Sequence, residues 1–241
     1  MTPSTQHIGI DGCPAGWLWV QVHDDDTLTY GAALNMSMLV AQFDNLSLAL
    51  LDMPIGFVDG GEERTCDRLA RKALRRRSSS VFPVPCRAAV YADTYTEASQ
   101  INQQHTGRKL SKQSWAITGK MREVDQLLQS GAEWRSVLQE SHPELLFVQL
   151  NDGLPLAHSK RIPEGYEERL AVLGRWLPGM RDFATRTLAS TPRSAFTADD
   201  LLDAAVLALC AARFRDRLIS LPETPPHDAL GLPMQIISLA S

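Results

Sequence analysis

The first fifty residues constrain the fold of this chain more than any other stretch. Three short strand patterns, at residues 7–11, 17–23 and 28–31, follow one another with brief turns between them, which predicts an antiparallel meander. A short amphipathic helix comes next. The almost continuous apolar run at residues 46–53 is then typical of a strand buried on both faces. The order strand, strand, strand, helix, strand predicts an α/β fold.

The remainder of the chain carries mainly helical periodicity. We expect helices at about residues 62–77, 91–110 (ending at Gly107), 121–129, 166–176, 179–188 and 197–214. One further strand is predicted at residues 145–150, because the apolar run there ends in an Asn-Asp-Gly turn. A chain of 241 residues suffices for one large domain, or for one domain with an insertion.

The composition argues against several classes of protein. The 28 acidic and 24 basic side chains give a formal charge of −4, which is unlike a uniformly basic surface for non-specific nucleic-acid binding. The four cysteines form no Cys-x-x-Cys pair, so neither a zinc site nor a disulfide framework is expected. No apolar run approaches the roughly 20 residues of a membrane span, and the N-terminus lacks the pattern of a secretory signal. We therefore expect a cytoplasmic protein without a membrane partner.

Two aspartates follow predicted strands. Asp11 ends the first strand, where an ordinary turn aspartate is the alternative interpretation, and Asp52 ends the buried strand at residues 46–53. A buried carboxylate requires a cation or several hydrogen-bond donors. If the two strands are parallel neighbours, about 4.8 Å apart, both carboxylates emerge at the same edge of the sheet and can share a metal ion.

A second acidic pair lies in the last long helix. Asp199 and Asp200 suit a helix start, where capping is the ordinary explanation, but Asp203 lies one turn further among apolar residues and faces the same way as Asp200. A set of oxygen ligands without a Cys or His cluster favours Mg²⁺ or Mn²⁺. Glu144 is a possible further ligand. His142 is a possible proton carrier, although a lone loop histidine more often has a structural role.

Several sequence blocks resemble a known family. They are IGIDGCPAGW at 8–17, DMPIG at 52–56, DRLARKALRRRSSSVFPVPCR at 67–87, ESHPE at 140–144 and DDLLDA at 199–204. In this order they are similar to domain-of-unknown-function family 429, whose members are described as predicted nucleases of the ribonuclease H-like superfamily. The resemblance extends from about residue 7 to residue 214.

The resemblance implies a ribonuclease H-like mixed sheet of about five strands flanked by helices. It implies a single domain over 1–241, with a helical insertion at about 62–140 that a minimal ribonuclease H fold lacks. The site residues that match the family are Asp11, Asp52, Asp200 and Asp203, which would be catalytic metal ligands. Glu144 is added as a candidate catalytic residue from its position in the sequence, not from the resemblance. Such sites resemble two-metal centres, in which Mg²⁺ or Mn²⁺ ions activate a water and stabilise the leaving oxygen of a phosphodiester.

Basic residues in the insertion indicate an anionic substrate. The candidate substrate-binding residues are Arg64, Arg68, Arg71, Arg75, Arg87 and Lys112. The first four are spaced four, three and four residues apart, which predicts one stripe along a helix face. Such a stripe can bind phosphates, and a solvated helix face is the alternative.

Three functions therefore remain open. The first is a metal-dependent nuclease or phosphodiesterase. The second is a non-catalytic module that binds an anionic ligand such as nucleic acid. The third is a phosphotransferase related to the actin-like kinases, against which the length of 241 residues counts, because those enzymes usually need two such domains. The sequence makes no prediction of the oligomeric state.

Overall fold

The structure, a computed structural model, describes residues 5–240 and divides into two units. The first unit contains residues 5–52, 136–219 and 237–240, and the second contains residues 53–135 and 220–236. The insertion expected at about 62–140 overlaps most of the second unit. That unit begins earlier than expected and includes a return segment near the end of the chain.

A mixed sheet of five strands forms the centre of the first unit. Its strands are β1 (Gln6–Cys13), β2 (Gly16–Val22), β3 (Leu28–Ala33), β4 (Leu46–Leu51) and β5 (Leu138–Glu140). Their order across the sheet is β3-β2-β1-β4-β5. The meander is antiparallel, whereas β4 runs parallel to both β1 and β5. The predicted α/β fold with a mixed five-stranded sheet is therefore confirmed.

Helices make up most of the remaining structure. They are α1 (Met36–Val40), α2 (Thr65–Leu74), α3 (Arg87–Val90), α4 (Tyr95–Thr106), α5 (Lys112–Ala116), α6 (Thr118–Ser130), α7 (Ala132–Val137), α8 (Pro143–Leu150), α9 (Pro163–Gly174), α10 (Met180–Ser190) and α11 (Ala198–Arg213). Two further strands, β6 (Leu218–Leu221) and β7 (Ile236–Leu239), pair with each other. Within residues 5–240 no helix combines the length and the apolar character needed to cross a membrane.

The packing of α11 on β1 organises the core of the first unit. A Cβ atom at Gly9 would lie only 2.1 Å from the backbone oxygen of Ala204, so the helix backbone passes directly over the strand. Most of α11 is buried, and its apolar side chains join those of β2 and α8–α10 in one hydrophobic cluster. The chain therefore holds the start of α11 close to the carboxyl end of β1.

The strand predicted at residues 145–150 is wrong. Those residues belong to α8, which begins at Pro143 in the first helical turn with Glu144 beside it. Both residue types favour a helix N-terminus. The run is continuously apolar because nearly every side of this short helix is buried, and the fifth strand is the segment Leu138–Glu140 instead.

The other predicted helices are present, with smaller differences between their predicted and observed boundaries. The helix predicted at 62–77 is shorter, because Arg75 adopts a positive φ of 49° and ends α2. The helix predicted at 91–110 begins later and ends at Gly107 in the left-handed conformation, as expected. The predicted helix pair around Pro178 is confirmed as α9 and α10.

Candidate active site

The two strand-end aspartates lie side by side. Strands β1 and β4 are parallel, with Ile10 opposite Leu51, and the backbone N–H of Asp52 donates to the carbonyl of Ile10 at 3.0 Å. Asp11 and Asp52 come next along the two chain segments. Asp52 directly follows β4, whereas Asp11 does not end the first strand as expected, because β1 continues to Cys13 in its pairing with β2. The Asp11 side chain is buried and accepts a hydrogen bond from the backbone N–H of Gly12 at 2.7 Å. The sheet register thus brings these two carboxylates to one edge.

Helix α11 supplies the other two carboxylates. Its start is a capping box, in which the backbone N–H of Thr197 donates to Asp200 Oδ2 at 2.8 Å while the hydroxyl of Thr197 accepts from the backbone of Asp200. The ordinary capping role expected for a helix start is therefore realised at Asp200. Asp203, one turn further, is buried and has no capping function. We call Asp11, Asp52, Asp200 and Asp203 the carboxylate cluster.

The carboxylate cluster carries more negative charge than its surroundings neutralise. Burial raises the pKa of Asp11 well above its usual value, and the nearby charges of Asp52 and Asp203 raise it further. Burial also raises the pKa of Asp52 to about 6; a charge on His142 opposes this rise and Asp203 adds to it. The pKa of Asp200 is raised mainly by burial. Such shifts are concentrated at functional sites, although buried structural acids show them too.

A lysine that the sequence analysis did not single out enters this cluster. The Nζ atom of Lys160 lies 2.5 Å from Oδ2 of Asp203. Burial alone would lower the pKa of Lys160, but the charge and hydrogen bond of Asp203, together with Asp11 and Asp52, raise it. The neighbouring carboxylates therefore keep the lysine in its protonated, positively charged form.

The loop between α8 and α9 holds this lysine in place. The carboxylate of Glu168 accepts two backbone N–H groups of the loop, at 2.7 and 2.9 Å. A Cβ atom at Gly165 would lie 1.9 Å from the backbone oxygen of Ser159, so the first turn of α9 and the loop are in close contact. The sequence analysis identified neither Gly165 nor Lys160; a glycine in the first turn of a helix is a signal of such a close approach, but it does not point to the lysine.

Glu144 has a different partner from the one expected. It lies in the first turn of α8, not in a loop before a strand, and it accepts a hydrogen bond from Arg169 at 2.5 Å. Both side chains are buried. The structure thus pairs Glu144 with a cation rather than with the carboxylate cluster, and its catalytic role stays a prediction. His142 lies near enough to Asp52 for its charge to act on that carboxylate.

The predicted single stripe of arginines on one helix face is wrong. Arg64 precedes α2, is 2% exposed, and forms a bidentate pair with Asp67 while also donating to the carbonyl of Ile55 at 3.0 Å. Arg75 follows the last residue of α2. The helix is shorter than the stripe required, so its two end arginines lie outside it.

The other candidate basic residues differ in exposure. Arg71 is partly buried and donates to Glu63 at 2.7 Å, and Arg87 bridges Asp125 and Asp228. Arg68, Arg75 and Lys112 are exposed. All six candidates belong to the second unit, whereas the carboxylate cluster belongs to the first.

The chemistry of the carboxylate cluster suits a hard cation. Carboxylate oxygens are the ligands that Mg²⁺ and Mn²⁺ prefer, and a divalent ion would stabilise the charged forms of Asp11 and Asp52, whose pKa values are raised first by burial and then by neighbouring carboxylates. As the side chains stand, no three His, Cys, Asp or Glu residues among residues 5–240 are placed to hold a metal ion. One of the potential ligands, Asp203, is bound to Lys160 instead.

Comparisons with known proteins identify one family. The family model described as a protein of unknown function (DUF429) matches residues 9–227, which is most of the chain. No curated protein and no solved structure matches this sequence significantly.

Proposed function

We propose a function for this chain from the premise that it belongs to the DUF429 family, whose members have no established function. The proposal is a nuclease or phosphodiesterase that uses Mg²⁺ or Mn²⁺ to hydrolyse phosphodiester bonds in the cytoplasm. It follows the resemblance to the predicted nucleases of the ribonuclease H-like superfamily, and nucleic acid is the proposed substrate.

The observation that carries the proposal is the meeting of Asp11, Asp52 and Asp203. These residues are far apart in the sequence, and they come from β1, from the end of β4 and from α11. Besides burial, the charges of Asp52 and Asp203 raise the pKa of Asp11, and the charge of Asp203 raises the pKa of Asp52, as expected where acids are crowded. A fold seldom maintains such crowding for stability alone, and it suits a site that receives cations.

The proposed metal ligands are these three aspartates, with Asp200 beside them. When bound, the ions would supply an activated water and stabilise the leaving oxygen. The protein would contribute carboxylates that the sheet and α11 hold in fixed positions. Burial around Asp11 and Asp203 lowers the local dielectric and strengthens their attraction for a cation.

The direct test is hydrolysis of labelled single-stranded DNA, duplex DNA, RNA and RNA–DNA hybrid in the presence of Mn²⁺ or Mg²⁺. We expect the wild-type protein to cleave at least one of these, and Asp52→Asn to lose cleavage by a factor of about 10² or more, as for removal of a group that acts on the transition state. Asp44→Asn, which changes an exposed aspartate of the first unit, is the matched control. Equal activity of Asp52→Asn and wild type would contradict the site assignment.

A binding module without catalysis is the second candidate function. It is favoured by the ion pair between Lys160 and Asp203, because that pair gives one buried carboxylate a structural partner. In this case nucleic acid would bind to the wild-type protein without being cleaved at any metal concentration. Binding would then depend on exposed basic residues such as Arg68, Arg75 and Lys112.

A further inference from the structure

The position of Lys160 raises the question of how a metal ion could reach the carboxylate cluster. The lysine ammonium lies 2.5 Å from Asp203 Oδ2, which is a charge-assisted hydrogen bond. The Asp203 side chain is 4% exposed, whereas that of Lys160 is 42% exposed. The lysine therefore extends from solvent toward a buried acid.

The influence of this lysine extends over the whole acidic site. Its charge lowers the pKa of each neighbouring carboxyl group on which it acts, namely Asp11, Asp52, Asp199 and Asp200. Arg169 and His142 also act there, each on one carboxyl group, namely Asp199 and Asp52 respectively. Lys160 is thus the cation that the acidic residues of β1, β4 and α11 have in common.

The lysine ammonium and a metal ion would compete for the same oxygen of Asp203. An ammonium bound to Asp203 Oδ2 takes an oxygen that a metal ion would use, and it repels a divalent ion that approaches Asp11 or Asp52. We propose that Lys160 is the resident counter-cation of the carboxylate cluster, and that a divalent metal ion binds there by displacing its ammonium from Asp203. This inference rests on the metal-dependent function proposed above and specifies how metal binding is controlled.

The proposal gives the loop a function. Glu168 and Gly165 hold the loop backbone so that Lys160 reaches Asp203. Fixing a long, partly exposed side chain in one position costs rotamer entropy, and the held loop backbone places the lysine near Asp203 in spite of this cost. Metal affinity would then be set by this lysine as well as by the ligands. The consequence is a site that fills only when the divalent ion is plentiful enough to compete.

The first experiment is calorimetric titration with Mn²⁺ in the absence of nucleic acid, on the full-length wild-type protein and on Lys160→Met. Methionine keeps the length of the side chain and removes its charge. We expect the apparent dissociation constant of Lys160→Met to be lower by about tenfold or more, because an ion pair beside a buried acid is worth more than one in water. Lys160→Arg retains the charge and should bind Mn²⁺ within about threefold of the wild-type protein.

The matched control is Lys72→Met, which removes an exposed lysine from α2 in the second unit and should leave Mn²⁺ affinity unchanged. Unchanged or weaker affinity in Lys160→Met would overturn the proposal, because the lysine would then support the metal site or be irrelevant to it. Equal tightening in Lys160→Arg would also overturn it, since charge would not be the cause.

A second measurement uses the wild-type protein alone, and it applies even if Lys160→Met fails to fold. Limited acetylation followed by mass spectrometry reports how freely each lysine amine reacts. We expect saturating Mn²⁺ to increase the labelling of Lys160 about threefold or more while that of Lys72 stays constant, since a displaced amine loses its hydrogen bond to Asp203. Unchanged labelling of Lys160 at saturating Mn²⁺, or no Mn²⁺ binding by any variant, would refute the displacement.

These measurements separate the inference from the proposed function. A protein that binds Mn²⁺ in competition with Lys160 but cleaves no phosphodiester would contradict the nuclease proposal and leave the counter-cation in place. Cleavage of DNA or RNA by a protein whose Lys160→Met variant binds Mn²⁺ like the wild type would support the nuclease proposal and contradict the counter-cation role of Lys160.

Discussion

The two units contain buried aspartates in opposite situations. In the second unit the Arg87 guanidinium donates to both Asp125 and Asp228, and the hydroxyl of Tyr91 donates to Asp125 at 2.6 Å. Asp228 also accepts three backbone N–H groups. In the first unit four carboxylates are close together, and Lys160 compensates them only in part. Well-partnered acids hold segments together, whereas under-compensated acids are typical of sites that await a ligand.

We call Arg87, Tyr91, Asp125 and Asp228 the Arg87 network. The loss of one partner should destabilise the folded protein more in this network than in the carboxylate cluster. We expect Arg87→Met to lower the free energy of unfolding by about 3–5 kcal/mol, because two buried carboxylates lose their cation. Urea unfolding followed by circular dichroism measures this. Arg68→Met, which removes an exposed arginine of the same unit, should change it by less than about 0.5 kcal/mol. Similar values for the two variants would erase the contrast between the units.

In the carboxylate cluster, removing a charged side chain should raise the free energy of unfolding instead of lowering it. The pKa of Asp52 is about 6 in the folded protein and about 3.8 when unfolded, so the folded state binds more protons between these values. Its stability contribution is therefore present at low pH and is lost as the pH rises from about 4 to 6. We expect Asp52→Asn to be more stable than the wild type above pH 6, by roughly 2–3 kcal/mol, and to gain little near pH 4.

Urea titrations of Asp52→Asn and of the exposed control Asp44→Asn at several pH values test this expectation. The stability difference between Asp52→Asn and wild type should grow between pH 4 and 6 and then stay level. A difference that is constant over this range, or that favours the wild type at pH 7, would mean that Asp52 is well compensated after all.

A smaller effect should follow from moving the loop that carries Lys160. Gly165→Ala places a Cβ atom where the backbone oxygen of Ser159 now lies, so the loop must shift, at a cost of about 1–3 kcal/mol. Gly174→Ala, in the same helix α9, meets no atom within 4 Å and should be neutral or stabilising by up to about 1 kcal/mol. Thermal unfolding of both variants provides the comparison, and equal melting temperatures would show that the loop is not held at Gly165.

The sequence predicted the parts of the fold that local patterns determine. The meander and β4 follow from strand periodicity, and α11 follows from its cap and apolar face. Helix α8 was missed because a short helix buried on all sides and a buried strand both appear as a continuous apolar run. Length alone could not separate them, since eight residues suit either element.

The sequence likewise predicted only part of the candidate site. Asp11, Asp52 and Asp203 stand out because each is an acid next to or within an apolar run, where a buried carboxylate requires a cation or several hydrogen-bond donors. Lys160 does not stand out, because a lysine in a polar loop is ordinary and its contact with Asp203 arises from packing between distant segments. Arg64 is the converse case: its spacing suggested a phosphate ligand, but the fold buries it against Asp67 and backbone carbonyls.

The contact between Gly9 and α11 determines which parts of the site can adjust. Because the backbone of Ala204 lies where a side chain at position 9 would be, the sheet and the helix cannot approach more closely, and any larger residue would push them apart. The packing of β1 against α11 therefore fixes the spacing between Asp11 and Asp203. The flexible side chain of Lys160 provides the adjustable element, so tuning this site by mutation would begin in its loop.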